Sequence, residues 1–158
     1  MKKNELKINY YTFSSLEELD KADRVLIEKA IEATKTAYAP YSDFYVGAAI
    51  RLANGEIIIG SNQENSAYPS GLCAERVALF QAGVLYPNTA IESMAITARA
   101  KGKTLNAVAN PCGSCRQVMN ESALRQNKPF RVILVSEKNN GFVFESNEDF
   151  LPFSFKFE

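Results

Sequence analysis

Histidine is missing from all 158 residues, and cysteine occurs only three times. Without imidazole, the chain cannot assemble a four-ligand structural zinc site from Cys and His alone. An odd, small cysteine count with no export signal fits the reducing cytosol, where thiols serve metals or chemistry instead of disulfides. Charge of one sign is not in excess either: Lys plus Arg number 18, and so do Asp plus Glu. Nothing in that balance draws the protein to a phosphate backbone or an anionic membrane surface. No apolar run approaches the length of a membrane span. The opening MKKNELKINYYTF breaks any apolar signal-peptide core with Asn, Glu and Lys. A cytoplasmic protein is expected, with no nucleic-acid and no membrane partner.

The length fits one domain, residues 1–158, able to bury a core without staples. Residues 7–13 alternate Ile8, Tyr10 and Thr12 on one face, which suggests a short edge strand or an extended arm at about 1–13. Ser15 with Glu18, or Asp20 with Asp23, could each cap a helix carrying Ala22, Leu26, Ala30, Ala33 and Ala37 at helical spacing, with Pro40 ending it. Two strands follow, FYVGAAIRL and ANGEIIIGSN, joined at Asn54-Gly55, a pair favoured in two-residue hairpin turns. A helix is expected from Cys73 to Ala82 with Gly83 as its stop. Next come a strand in ESMAITARA, a loop over 101–109 and a second cysteine-bearing helix. A buried strand in FRVILVS, then a turn and a last strand in EKNNGFVFES, complete the pattern. Strands alternating with helices imply an α/β/α sandwich on a mixed sheet, antiparallel in the opening hairpin and parallel later.

Cys73 opens one helix, while Cys112 and Cys115 bracket the first turn of another. Two helix N-termini can then converge on one point. Their dipoles lower thiol pKa values, and thiolates are good zinc ligands. A C-x-x-C pair is also compatible with a thioredoxin-like redox couple, and Cys73 with an inert buried thiol. The missing histidine bears on this choice. Only three thiolates are on offer, so either a carboxylate completes the shell or the fourth position is left to water, as in a catalytic centre. Glu75 lies on the same helical turn as Cys73, near enough to exchange a proton with such a water and poorly placed to replace it. Zinc with three thiolates carries a net negative charge. Arg76 is suited to offset it by donating hydrogen bonds to sulfur, although a solvated helix residue is the plainer reading of Arg76 and of Arg116.

Taken in order, YAPYSDFYVGAAI, NGEIIIGSNQENSAY, CAERVALF, NPCGSCRQVMNE and the ending FLPFSF make the chain resemble the small, homotetrameric, zinc-dependent cytidine deaminases from about Ala37 to Phe155. The resemblance implies a three-layer α/β/α sandwich with a mixed five-stranded sheet and one Zn²⁺ per subunit held by Cys73, Cys112 and Cys115. It implies hydrolytic deamination at C4 of cytosine, with Glu75 carrying protons between water, N3 and the departing amino group. Asn62 and Glu64 would hold the ribose hydroxyls, chiefly the 3′-OH, so the substrate is expected to be a free nucleoside. Phe44 would stack on the base and the Ala74 backbone would meet its polar edge. Tyr68 would shape the pocket from a neighbouring subunit, and Phe155 would reach across to a neighbour's base pocket, with Phe153 and Phe157 competing for that part. Arg76 and Gln117 would surround the zinc ligands, Gln117 by tying its helix to its surroundings. A blasticidin-type aminohydrolase shares the cysteine motifs, but the NQEN segment argues against it. A structural zinc module would have no use for Glu75.

Overall fold

The computed structural model describes residues 1–157. In chain order the elements are β1 (Tyr11–Phe13), α1 (Lys21–Ala33), β2 (Phe44–Leu52), β3 (Ile57–Ser61) and α2 (Ala74–Leu85). They continue with β4 (Ile91–Ala100), α3 (Gly113–Arg125), β5 (Arg131–Val135) and β6 (Gly141–Phe144). The strands form one mixed sheet in the order β1-β6-β5-β4-β2-β3. β4 and β5 run parallel, and the other neighbours are antiparallel.

Side chains alternate across a strand, so each central strand feeds two cores. Ala49, Ala95 and Ile133 point to one face, where Leu26, Ile27 and Ala30 of α1 cover them. Ala48, Ile50, Met94, Ile96, Val132 and Leu134 point to the other, under Ala78 and Leu79 of α2 and Met119 and Ala123 of α3. Burial on both faces explains the unbroken apolar run of β5. Leu26 and Ile27 are fully buried, each contributing about 1.5–3 kcal/mol relative to exposure. The expected α/β/α sandwich is the fold observed.

The sheet has six strands where five were expected, because the N-terminal arm adds β1 to the edge of β6. The arm buries Phe13, not the face of Ile8, Tyr10 and Thr12; Tyr10 stays half exposed, its ring 5.6 and 5.5 Å from those of Phe142 and Phe144. Both expected helix caps are present at once. Ser15 and Glu18 close a capping box on a 3-10 turn, and the Asp20 carboxylate accepts from the Asp23 amide at the start of α1. The helix stops at Ala33, well before Pro40. Thr34 and Thr36 donate from their hydroxyls to the carbonyls of Ile31 and Ala33, competing with the helical ladder there.

Two further expectations are corrected by turn chemistry. The hairpin between β2 and β3 has three loop residues: Gly55 donates to the Leu52 carbonyl and sits at φ 87°, and Leu52 donates to the Glu56 carbonyl. Only glycine, not Asn54, takes the left-handed conformation, which is the geometry of a turn closed by a glycine bulge. α2 runs through Gly83 to Leu85, and Tyr86 leaves the helix because Pro87 follows it. The later strands are also mixed, since β6 returns antiparallel to β5.

At the end of the sheet where β2 finishes and β5 begins, the buried Asp23 carboxylate pairs with Arg131 and lies 3.7 Å from Arg51. Glu92 and Glu145 engage the same two guanidinium groups from outside, at 3.5 and 3.3 Å.

Close approach of α2 to the sheet is set by Gly60 of β3. A Cβ there would stand 2.5 Å from both the Ala74 carbonyl oxygen and the Ala78 amide nitrogen. Because those atoms belong to a helix backbone, Gly60→Ala should destabilise the protein by about 1–3 kcal/mol, read as a lowered denaturation midpoint in urea.

Candidate active site

Register places the site. The amino end of β2 lies beside the carboxyl ends of β3 and β4, through the pairs Gly47↔Ser61 and Phe44↔Ala100. The chain leaves both of those strand ends to reach α2 and α3, so the two helices start above the same end of the sheet. Cys73 is the N-cap of α2 and Cys112 the N-cap of α3, each extended in backbone and neither using its side chain as a cap. Their sulfurs are therefore free to face each other, next to the amide ends of both helices. Cys115, one turn into α3, is fully buried beneath them.

The Sγ atoms of Cys73 and Cys112 are 3.8 Å apart, those of Cys112 and Cys115 are 3.5 Å apart, and all three lie within 4.8 Å of one another. Tetrahedral zinc with Zn–S bonds of about 2.3 Å requires sulfur separations of roughly 3.8 Å. The donor set fits that ion. A redox pair of Cys112 and Cys115 would leave the third sulfur at the same distance without a role. Hydrogen bonding from Cys115, and then from Arg76, holds the Cys73 thiol well below its ordinary range, at about 5, against an opposing effect of burial. The same bond to Cys73, together with burial, pushes Cys115 up. Three adjacent sulfurs cannot all ionise unaided, and a divalent cation removes that conflict.

Glu75 is 4% exposed. Burial raises its pKa above the usual carboxylate range, opposed by a hydrogen bond from its own backbone, and the Cys73 thiolate adds to the rise. Arg76 donates from Nη2 to Cys73 Sγ at 3.8 Å and to the Gly71 carbonyl at 3.5 Å, the sulfur contact expected of it. Arg116 instead donates to the carbonyls of Pro111 and Phe150 at 2.8 and 3.2 Å.

Cys73, Cys112, Glu75 and Arg76 floor a cavity of about 730 Å³, in the range of small-molecule sites. Phe44, Asn62, Glu64, Tyr68, Cys73, Glu75, Arg76 and Cys112 line it. The Asn62 carboxamide accepts from the Val46 amide at 2.8 Å and donates to the Phe44 carbonyl at 2.9 Å, so it also fixes the start of β2. Tyr68 is exposed, lies edge-on to Tyr41, and borders the cavity of its own chain. Ala74 is fully buried in the first turn of α2.

Gln117 and Phe155 stand apart from the cavity lining. The Gln117 carboxamide donates to the Phe155 carbonyl at 2.9 Å and accepts from the Phe155 amide at 3.2 Å. Its partner is thus the C-terminal tail and not the thiolates, while the Phe155 ring remains exposed, as do those of Phe153 and Phe157. Sequence reasoning left Tyr41, Ser42 and Asn110 without roles, yet all three line the cavity. For Ser42 a signal was available: a serine two residues after Pro40 is a turn residue whose hydroxyl seeks local amides.

A metal cradle closed on one side, with a buried carboxyl group next to it, is the arrangement of a zinc hydrolase. Residues 20–128 match the family model described as the cytidine and deoxycytidylate deaminase zinc-binding region. A cytidine deaminase of Halalkalibacterium halodurans is 45% identical over 98 residues, 62% of this chain and 70% of that protein. One from Sporosarcina psychrophila is 43% identical over 96 residues, 61% of this chain and 66% of that protein. The crystal structure of cytidine deaminase from Burkholderia pseudomallei superposes with a TM-score of 0.73 at 35% identity, covering 84% of this chain and 98% of that one. The chain belongs to the cytidine and deoxycytidylate deaminase family.

The sulfur geometry predicts one zinc per chain by elemental analysis of purified protein. Arg76→Ala removes a hydrogen bond to a ligand sulfur, and should weaken zinc affinity by about tenfold in a chelator competition.

Proposed function

We propose that the chain catalyses zinc-dependent hydrolytic deamination of cytidine and 2′-deoxycytidine to uridine and 2′-deoxyuridine, with release of ammonia, in cytoplasmic pyrimidine salvage. The observation that carries this reading is the buried Glu75 carboxylate beside three converging thiols, two of which, Cys73 and Cys112, line one cavity with it. The chain is read as a single catalytic domain over 1–158 with an N-terminal arm, residue 158 lying outside the described residues.

When held by Cys73, Cys112 and Cys115, zinc supplies Lewis acidity that activates a water. Glu75 takes one proton from the attacking water and delivers it to N3 of the base, then takes the remaining proton of the hydroxyl now on C4 and passes it to the amino group leaving C4. Water thereby adds its oxygen at C4, the C4–N bond breaks, and ammonia departs. Burial, by raising the carboxyl pKa, suits Glu75 to hold the proton between the two transfers. Phe44 offers a ring face to the pyrimidine and the Ala74 backbone meets its polar edge. Asn62 and Glu64 take the ribose hydroxyls, which restricts the substrate to a free nucleoside. Arg76 tempers the charge on sulfur, and Gln117 steadies α3 through the tail.

Exposed apolar side chains on α2 (Phe80, Val84, Leu85) and the tail residues Phe153, Phe155 and Phe157 support a homotetramer with sites at subunit interfaces. In that assembly Tyr68 and Phe155 border a neighbour's pocket. Light scattering after size-exclusion chromatography should return the mass of four 17.5 kDa chains.

Glu75→Gln keeps the shape of the side chain and removes its basicity. Loss of cytidine absorbance in the ultraviolet should slow by about 10²–10⁴-fold or more, with zinc content unchanged. Loss of zinc in that variant would overturn the role given to Glu75.

A further inference from the structure

The turn that precedes β2 is held tightly. The Asp43 amide donates to the Ala39 carbonyl at 3.1 Å, Asp43 itself is left-handed at φ 52°, and the Lys101 amide donates to its carbonyl at 3.1 Å. Glu64 reaches this turn from 22 residues away. One carboxylate oxygen, Oε2, accepts from the amides of Tyr41 and Ser42 at 2.9 and 3.3 Å, and Oε1 accepts from the Ser42 hydroxyl. The same hydroxyl oxygen accepts from the Phe44 amide at 3.1 Å.

A serine hydroxyl has one hydrogen to give and two lone pairs. Here the hydrogen goes to Glu64 and a lone pair takes Phe44, so one atom ties the carboxylate on one side of the cavity to the start of the aromatic wall on another. Glu64 accepts three hydrogen bonds in this arrangement. A carboxylate offers about four acceptor positions, which leaves room for a ligand hydroxyl. The bond from Ser42, and then that from the Tyr41 amide, keeps the Glu64 carboxyl below the ordinary carboxylate range, so it stays an acceptor.

We propose that Ser42 is a positioning residue that sets the gap between sugar anchor and base wall, and so tunes the enzyme's preference for a nucleoside bearing a 3′-hydroxyl. This rests on the reading of Glu64 as the group that takes that hydroxyl. Ser42 does not itself touch the reacting atoms. Its effect passes through Glu64 and Phe44, and Ser42→Ala removes one hydrogen bond from each at an exposed turn, leaving Glu64 its two backbone bonds.

The test compares kcat and KM for cytidine and for 3′-deoxycytidine in the zinc-loaded wild type, Ser42→Ala, Ser42→Thr, Glu64→Gln and the Ser42→Ala/Glu64→Gln double variant. Thermal midpoints are measured alongside. Removing a hydrogen bond to a charged group should reduce the ratio of kcat/KM for cytidine over 3′-deoxycytidine by about tenfold in Ser42→Ala, chiefly through KM. Ser42→Thr should restore most of that preference. On top of Glu64→Gln, Ser42→Ala should change the ratio of cytidine over 3′-deoxycytidine little further, because that ratio is read through Glu64, and the midpoint should not move. Equal losses on both substrates would mark Ser42 as merely structural and overturn the proposal. A wild-type preference for cytidine that survives in Ser42→Ala would sink the part given to Ser42 alone. A wild type that turns over the two substrates equally would sink the sugar role of Glu64, and this inference with it.

Discussion

Two helices begin at one point, and each begins with a cysteine. An N-cap is ordinarily a place for Ser, Thr, Asp or Asn, whose oxygen accepts an orphan backbone amide. Cys73 and Cys112 provide no such bond, so their helices start with amides that are not satisfied by the capping side chain. The positive ends of two helix dipoles then face a cluster of sulfurs that favour negative charge, while those sulfurs compete with one another for ionisation. A divalent cation answers the second problem without losing the benefit of the first. The scaffold serves this convergence. β3 and β4 deliver the chain to the same end of the sheet, and Gly60 lets α2 lie close against β3.

Above that floor the cavity wall is made of side chains that are themselves braced by backbone. Asn62 clamps the first residues of β2, Glu64 caps the turn before it, and Phe44 is held by Asn62 at its carbonyl and by the Ser42 hydroxyl at its amide. The polar groups available to a ligand are thus oriented in advance. Pre-ordering of this kind reduces the conformational freedom that binding must remove. The deep end of the cavity holds the ionisable chemistry and the turn end holds the neutral and anionic acceptors.

What was legible in the sequence was local. The cysteines, Glu75 and Arg76 lie at short spacings around helix starts, and helical geometry alone puts Cys73 and Arg76 on adjacent positions of one turn. The layer order followed from alternation of apolar runs with helical patterns. What was not legible depended on partners distant in the chain or on competition at a boundary. Gln117 meets Phe155 across 38 residues, and Ser42 meets Glu64 across 22. Residues 7–13 read as either a short edge strand or an extended arm, and the free edge of β6 makes Tyr11–Phe13 the strand. Gly83 looked like a helix stop, yet Pro87 governs where α2 ends, because the residue before a proline is driven from helical conformation more strongly than a glycine breaks a helix already packed on the sheet.

The ion-pair chain through Asp23 has a dynamic meaning. Arg51 belongs to β2 and Arg131 to β5, the strands on either side of β4, and the carboxylate that joins them sits on the first turn of α1. Shifting that helix would strand two guanidinium groups around a buried anion, so the helix and three strands are locked into one body at that pole. The cavity lies at the opposite pole of the sheet, away from that anchor, bordered by Tyr41 and by Ala109 and Asn110 of the long connection from β4 to α3.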